Sequence, residues 1–176
     1  RSPSAPLGSG LRRNDDSGGG APLAAFLDPC LETGYVRRMS EPAPPVIILD
    51  KSQMAENIGA VARVMANFGL SELRLVAPRD GWPQERAWAT ASGADWVLEG
   101  IKVFGSVAEA VADLNTVFAT TARPRETRQP VRTPREAARV LYDDRASGLG
   151  VGLLFGGERA GLETSDIALC QGIVTI

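Results

Sequence analysis

From Val46 onward the chain alternates short, unbroken apolar runs with longer stretches in which apolar residues recur every three or four positions. Residues 46–49 (VIIL), 73–76 (LRLV), 116–120 (TVFAT), 151–155 (VGLLF) and 173–176 (IVTI) read as strands. Unbroken runs, as opposed to strict alternation, mark strands covered on both faces. Ile58, Val61, Ala62, Met65 and Phe68 fall at helical spacing, so a helix is predicted over 57–68, with Asn57 as its N-cap and Gly69 as its stop. Further helices are expected over 84–91, 107–114 and 134–142, with a short helical turn over 165–169. The 134–142 helix opens on Pro134, where a missing N–H costs nothing. Strands alternating with helices predict an α/β fold, a mostly parallel sheet with helices on both faces.

Residues 1–45 lack this pattern. The stretch RSPSAPLGSGLRRNDDSGGGAP is rich in Gly, Ser and Pro, so the segment is expected to be disordered or a non-native extension, with Met39-Ser40 reading like a natural start. Residues 46–176 are then the folded domain. Nothing reaches the roughly 18 apolar residues of a membrane-crossing helix or resembles a signal peptide, so a cytoplasmic protein with no membrane partner is expected.

The sequence contains no histidine, which removes His-based nucleophile systems and the commonest metal ligand. Its two cysteines, Cys30 and Cys170, are too far apart for a zinc knuckle, so no metal is expected and Cys170 reads as a small core residue. Net charge is −2, without a global basic field. The basic residues cluster nonetheless: Arg123, Arg125, Arg128, Arg132, Arg135 and Arg139 stand against Glu126 and Glu136, a local balance of 6 − 2 = +4. That cluster is either a solvated face or an RNA-backbone contact.

In parallel sheets ligands bind beyond the carboxyl ends of strands, and three such ends are unusual here. In ENIGAVAR (56–63), Gly59 falls in the first helical turn, a costly place that points to close approach of something to the backbone. Arg63 lies about 140° round from Ile58, either a solvated arginine or one aimed at a ligand. In FATTARPR (118–125), small residues Thr120, Thr121 and Ala122 leave room for a flat ligand, or form an ordinary polar loop. In LLFGGERAGL (153–162), Gly156 and Gly157 admit positive φ or ligand contact with the main chain, and Glu158 follows them. Neither a Walker loop nor a dinucleotide fingerprint is present.

Taken together and in this order, N-x-G-x-x-x-R, T-T-A-R-x-R and F-G-x-E-R-x-G-L resemble the SpoU/TrmH family, the knotted (SPOUT) RNA 2′-O-ribose methyltransferases, with most likeness to the TrmJ-like branch that acts on cytidine and uridine riboses of the tRNA anticodon loop. The resemblance covers 46–176. It implies S-adenosylmethionine as cofactor, held by Thr120, Thr121, Ala122, Gly156, Gly157 and Ile176, the glycines being bare so that the adenosyl group can rest on main chain. It implies Arg63 and Arg125 at the reacting ribose, with Asn57 and Glu158 completing the motif set. RNA-backbone contacts fall to Arg123, Arg128 and Arg132, the partner is tRNA, and the full-length protein is a homodimer. A guanidinium stays protonated in proteins, so an arginine here would anchor phosphate and ribose and stabilise a developing alkoxide, with the proton passing to phosphate or water.

The family's further motif, S-L-N-[VL]-[SA], has no counterpart up to Ile176. This implies a C-terminally truncated catalytic domain whose knot is incomplete and which, by itself, binds cofactor weakly or not at all and is inactive. Methylation of ribosomal RNA or of another tRNA position, and a non-catalytic RNA-binding relative, are the alternative readings.

Overall fold

The computed structural model describes residues 42–122 and 129–176. Residues 1–41, with the expected N-terminal extension, and Arg123, Arg125 and Arg128 lie outside the described residues.

Seven strands run parallel in one sheet: β1 (Val46–Asp50), β2 (Leu73–Val76), β3 (Lys102–Phe104), β4 (Thr116–Thr121), β5 (Val131–Arg132), β6 (Val151–Phe155) and β7 (Gly172–Thr175), in the order β3-β2-β1-β6-β4-β7-β5. Every residue of β1 and β2 is buried, as the unbroken apolar runs require. Helices α1 (Ala55–Asn67), α2 (Glu85–Ala91) and α3 (Asp95–Glu99) cover one face around Ile47, Leu49, Leu73 and Leu75. The same face continues through Leu153 to α5 (Pro134–Ala146), packed on Phe118 and Val174. Opposite lie α4 (Val107–Val111) and α6 (Thr164–Ile167), over Val46, Ile48, Val117 and Leu154. An α/β sheet with helices on both faces is thus what forms, and the sheet is parallel throughout.

Several details bear on the sequence expectation. Helix α1 begins at Ala55 with Met54 as its cap, so Asn57 sits inside the first turn and does not cap it. The close approach expected at Gly59 is made by α2: a Cβ there would collide with the carbonyl of Ala87 and the hydroxyl of Thr90. Elements α3, β3 and β5 were absent from the pattern, each short and, for the two strands, at a sheet edge with exposed side chains at Val103 and Val131. Helix α5 begins as expected, with Pro134 following a reciprocal Thr133–Glu136 capping box, but runs on to Ala146. Cys170 is buried, and burial pushes its thiol up to about 12, which leaves it inert at neutral pH.

The LRLV strand carries a charge in its middle. Arg74 is 3% exposed, and its guanidinium donates to Glu72 (2.9 and 2.7 Å), Asp113 (2.8 Å) and the carbonyl of Ala110 (2.6 Å). It also sits 5.6 Å from the centre of the Phe104 ring.

Candidate active site

The loop after β6 folds back on itself. Gly157 and Gly161 form an isolated antiparallel bridge, with the Gly161 N–H donating to the Gly157 carbonyl at 2.9 Å and Gly161 at φ +68°. A Cβ on Gly156 would strike the main chain of Gly161 and Leu162, and one on Gly157 would lie 2.8 Å from the Lys51 carbonyl oxygen. The paired glycines are therefore demanded by the chain's own backbone, a reason separate from the ligand contact expected of them. Lys51, in turn, holds the left-handed conformation at φ +49° where β1 ends. Its ammonium pairs with Glu163 across the loop.

This fold delivers Glu158 to the start of α1. Its carboxylate accepts from the Gln53 N–H (3.0 Å), the Asn57 side-chain amide (2.8 Å) and the Ser52 hydroxyl (3.5 Å). Met54 has no side-chain cap of its own to offer, so Glu158 supplies the negative group that the helix terminus favours. Partial burial pushes the carboxyl up, yet the hydrogen bonds from Asn57 and from backbone N–H groups outweigh it and hold Glu158 below the usual range. It is an ionised anchor, unsuited to act as a general acid at neutral pH.

The topology gathers the other small-residue positions. In the order β6-β4-β7, Gly156 and Gly157 follow β6, Thr120 and Thr121 end β4 with Ala122 just beyond, and Ile176 follows β7. Register confirms the neighbourhood: Ala119 pairs with Leu154, Thr120 with Val174 and Thr121 with Thr175. Thr120 donates its hydroxyl to the Leu154 carbonyl at 3.1 Å, while Ala122 and Ile176 are exposed. The ends of β6 and β4 carry small residues and leave main chain open to a flat ligand, while the end of β7 beside them presents the exposed Ile176 side chain.

Arg63 stands apart. It is exposed, six residues and thus about 120° round α1 from Asn57, in a shallow groove with Asn67, Thr90 and Ser92. It has no hydrogen bond or ion pair among the described residues. The structure brings Asn57 and Glu158 together and leaves Arg63 on another flank. Arg132 lies on edge strand β5 beside β7, with its buried Nε unpartnered among the described residues.

Sequence reasoning missed Ser52 and Gln53, whose only trace was the polar break between β1 and α1. Asp50 was missed as well, read as the residue beyond a strand. It is 1% exposed with neither carboxylate oxygen hydrogen-bonded among the described residues. Burial pushes it up to about 6, against Lys51 and reinforced by Asp166 and Glu163. Among the described residues no three His, Cys, Asp or Glu side chains group as metal ligands, and no helix is long and apolar enough to cross a membrane.

Comparison with known proteins bears on what this edge does. Residues 44–176 match the SpoU rRNA Methylase family. The tRNA (cytidine/uridine/adenosine-2′-O-)-methyltransferase TrmJ of Pseudomonas aeruginosa is 37% identical over 125 residues, 71% of this chain and 48% of that protein. The crystal structure of TrmJ from Z. mobilis ZM4 superposes with a TM-score of 0.71 at 56% identity, covering 76% of this chain and 59% of that one. AviRb from Streptomyces viridochromogenes, a SpoU methyltransferase in complex with the cofactor AdoMet, shares the fold alone, with a TM-score of 0.57 at 19% identity, over 77% of this chain and 49% of that one. The chain spans about half the length of the curated relatives it matches.

Proposed function

The chain belongs to the SpoU rRNA Methylase family, and on that premise we propose that it is the catalytic domain of an S-adenosylmethionine-dependent tRNA 2′-O-ribose methyltransferase of the TrmJ-like kind, acting on cytidine or uridine of the anticodon loop. The observation that carries this reading is the convergence of the small-residue ends of β6 and β4 with the end of β7 on one edge, beside the Glu158–Asn57 anchor.

Thr120, Thr121, Ala122, Gly156, Gly157 and Ile176 hold the cofactor, which when bound supplies an electrophilic methyl group. The chain's own task is alignment, since a positioned pair of reactants gains most of its rate from geometry. Glu158, through Asn57 and the Gln53 N–H, fixes the β6 loop against α1 and so sets where Gly156 stands. Arg63 and Arg125 grip the ribose and its phosphate as permanent cations, stabilising the alkoxide as the 2′-hydroxyl proton leaves to phosphate or water. Arg123, Arg128 and Arg132 add backbone affinity without sequence information. The placement of Arg63 away from Glu158 supports a homodimer in the full-length protein, with the arginine of one copy serving the other. A cytoplasmic location follows from a tRNA substrate.

The test is methyl transfer by the full-length gene product to unmodified tRNA and, separately, to ribosomal RNA, with ribose methylation mapped by mass spectrometry. The reading expects a 2′-O-methyl cytidine or uridine in the anticodon loop. Transfer to ribosomal RNA alone overturns the substrate, and no transfer together with no calorimetric signal for S-adenosylmethionine overturns the activity.

A further inference from the structure

The carboxyl edge of the sheet continues past the site just described. Beyond the ends of β1 and β2, the 51–54 and 77–84 loops frame a second, polar groove of about 440 Å³, within the roughly 300–1,000 Å³ of small-ligand pockets. Its walls carry Gln53, Met54, Arg79, Gln84 and Arg86 together with the carboxylates of Glu56 and Asp80, and the methyl-transfer site uses none of these side chains.

Two features tie this groove to the site and hold it rigid. The Arg79 N–H donates to the Ser52 carbonyl at 3.0 Å, and Ser52 and Gln53 are the residues that hold Glu158. Behind the groove Trp82 stacks on Trp88, with ring centres 5.2 Å apart and planes 15° from parallel, and both rings pack against the core beneath α1 and α2. The 77–84 loop is thereby a fixed platform, although it is on the surface.

The guanidinium groups on that platform are oriented but not used up. Asp80 takes Nε (2.9 Å) and Nη2 (2.7 Å) of Arg79, which leaves its Nη1 edge without a hydrogen bond among the described residues. Arg86 is 82% exposed and its ion pair with Glu56, at 3.7 Å, is too long for a hydrogen bond. Exposed ion pairs of this kind are weak in water, whereas a guanidinium fork on phosphate makes short, charge-assisted bonds. Half-exposed Met54 adds an apolar surface to the same groove.

We propose that this groove binds the RNA backbone flanking the methylated nucleotide, with Arg79 and Arg86 on a phosphate and Met54 beneath the adjoining base. The inference rests on the RNA methyltransferase reading above. It places a cationic contact on the β1–β2 side of the site, across the sheet from Arg132 on β5, so that the substrate strand is held on both sides of the reacting ribose.

The experiment uses the full-length gene product and an unmodified tRNA transcript, with affinity measured between 50 and 200 mM salt. Each phosphate contact contributes about one unit to the slope of log affinity against log salt. Arg79→Ala/Arg86→Ala is expected to lower that slope by about one and to weaken binding about tenfold or more at the low-salt end, with unchanged calorimetric affinity for S-adenosylmethionine. Arg86→Glu, at a position too exposed to affect folding, is expected to weaken RNA binding more than Arg86→Ala. A double variant with wild-type slope and affinity, or an Arg86→Glu protein that binds RNA like wild type, overturns the groove while leaving the methyltransferase reading intact. A wild-type protein that neither binds nor methylates RNA overturns both.

Discussion

Arg74 and Asp50 lie on neighbouring strands, point to the same face of the sheet and are almost equally buried, yet the fold treats their charges in opposite ways. Arg74 spreads its donors over Glu72, Asp113 and the Ala110 carbonyl, and burial costs it little because each desolvated N–H has found an acceptor. Asp50 meets no donor among the described residues, and its neighbours Glu163 and Asp166 add like charge. What separates them is position along the strand. Arg74 is deep in the sheet, paired in register with Ile48, whereas Asp50 ends β1 at the carboxyl edge, where the Gly156–Gly161 loop crosses. Polar saturation is thus complete at Arg74 and incomplete at Asp50, which stands at the edge that carries the site.

The largest effect should come from breaking the saturated network. Arg74→Met leaves Glu72 and Asp113 without their buried partner and is expected to cost about 3 kcal/mol, read from urea unfolding. A loss under about 1 kcal/mol would mean that the two carboxylates rehydrate freely and that saturation is not what holds β2. Next comes Asp50. A carboxyl raised from 3.8 to about 6 keeps its proton in the folded state after the unfolded chain has lost it. Its contribution is therefore fully favourable below about pH 4, declines as pH rises towards 6 and stays unfavourable above. Asp50→Val should gain about 2 kcal/mol on wild type between pH 4 and pH 7.5. Taking the difference between the two proteins removes the opposite trend of Glu72, Asp113 and Glu158, whose lowered values cost stability as acid is added. A pH-independent gap would show that Asp50 finds a donor in solution.

Smaller changes sharpen the contrast. Asp113→Asn keeps the shape but removes the charge from a side chain that is 64% exposed, and about 1 kcal/mol is expected in thermal unfolding. Lys51→Met removes the one cation that favours ionised Asp50, so the carboxyl carbon resonance of Asp50 should titrate at higher pH than in wild type. Its effect on stability should stay under about 0.5 kcal/mol, because the Lys51–Glu163 pair is exposed. An unmoved titration would separate Asp50 from its neighbouring ammonium.

These two residues also mark how far the sequence could be read. The central strands were legible because burial on both faces writes itself as VIIL or VGLLF, and Arg74 inside LRLV did not disturb the pattern since a single polar residue is tolerated when it is satisfied. β3 and β5 left no such trace, being edge strands with one side in solvent. At the site, the motif glycines and Glu158 stood out, but their reason did not. Whether a bare backbone serves a ligand or its own loop depends on where Gly161, Leu162 and Lys51 return in space, which local spacing does not encode. The same holds for Gly59, emptied by a helix that begins 26 residues later.

Glu158 finishes a helix whose first turn was synthesised 101 residues before it, counting to Asn57. During translation that turn emerges with an uncapped end and waits for most of the domain to leave the ribosome. The last piece to secure the beginning of α1 is thus also the piece that shapes the proposed reaction edge, so a nascent chain acquires a finished first helix and a formed β6 loop in one event.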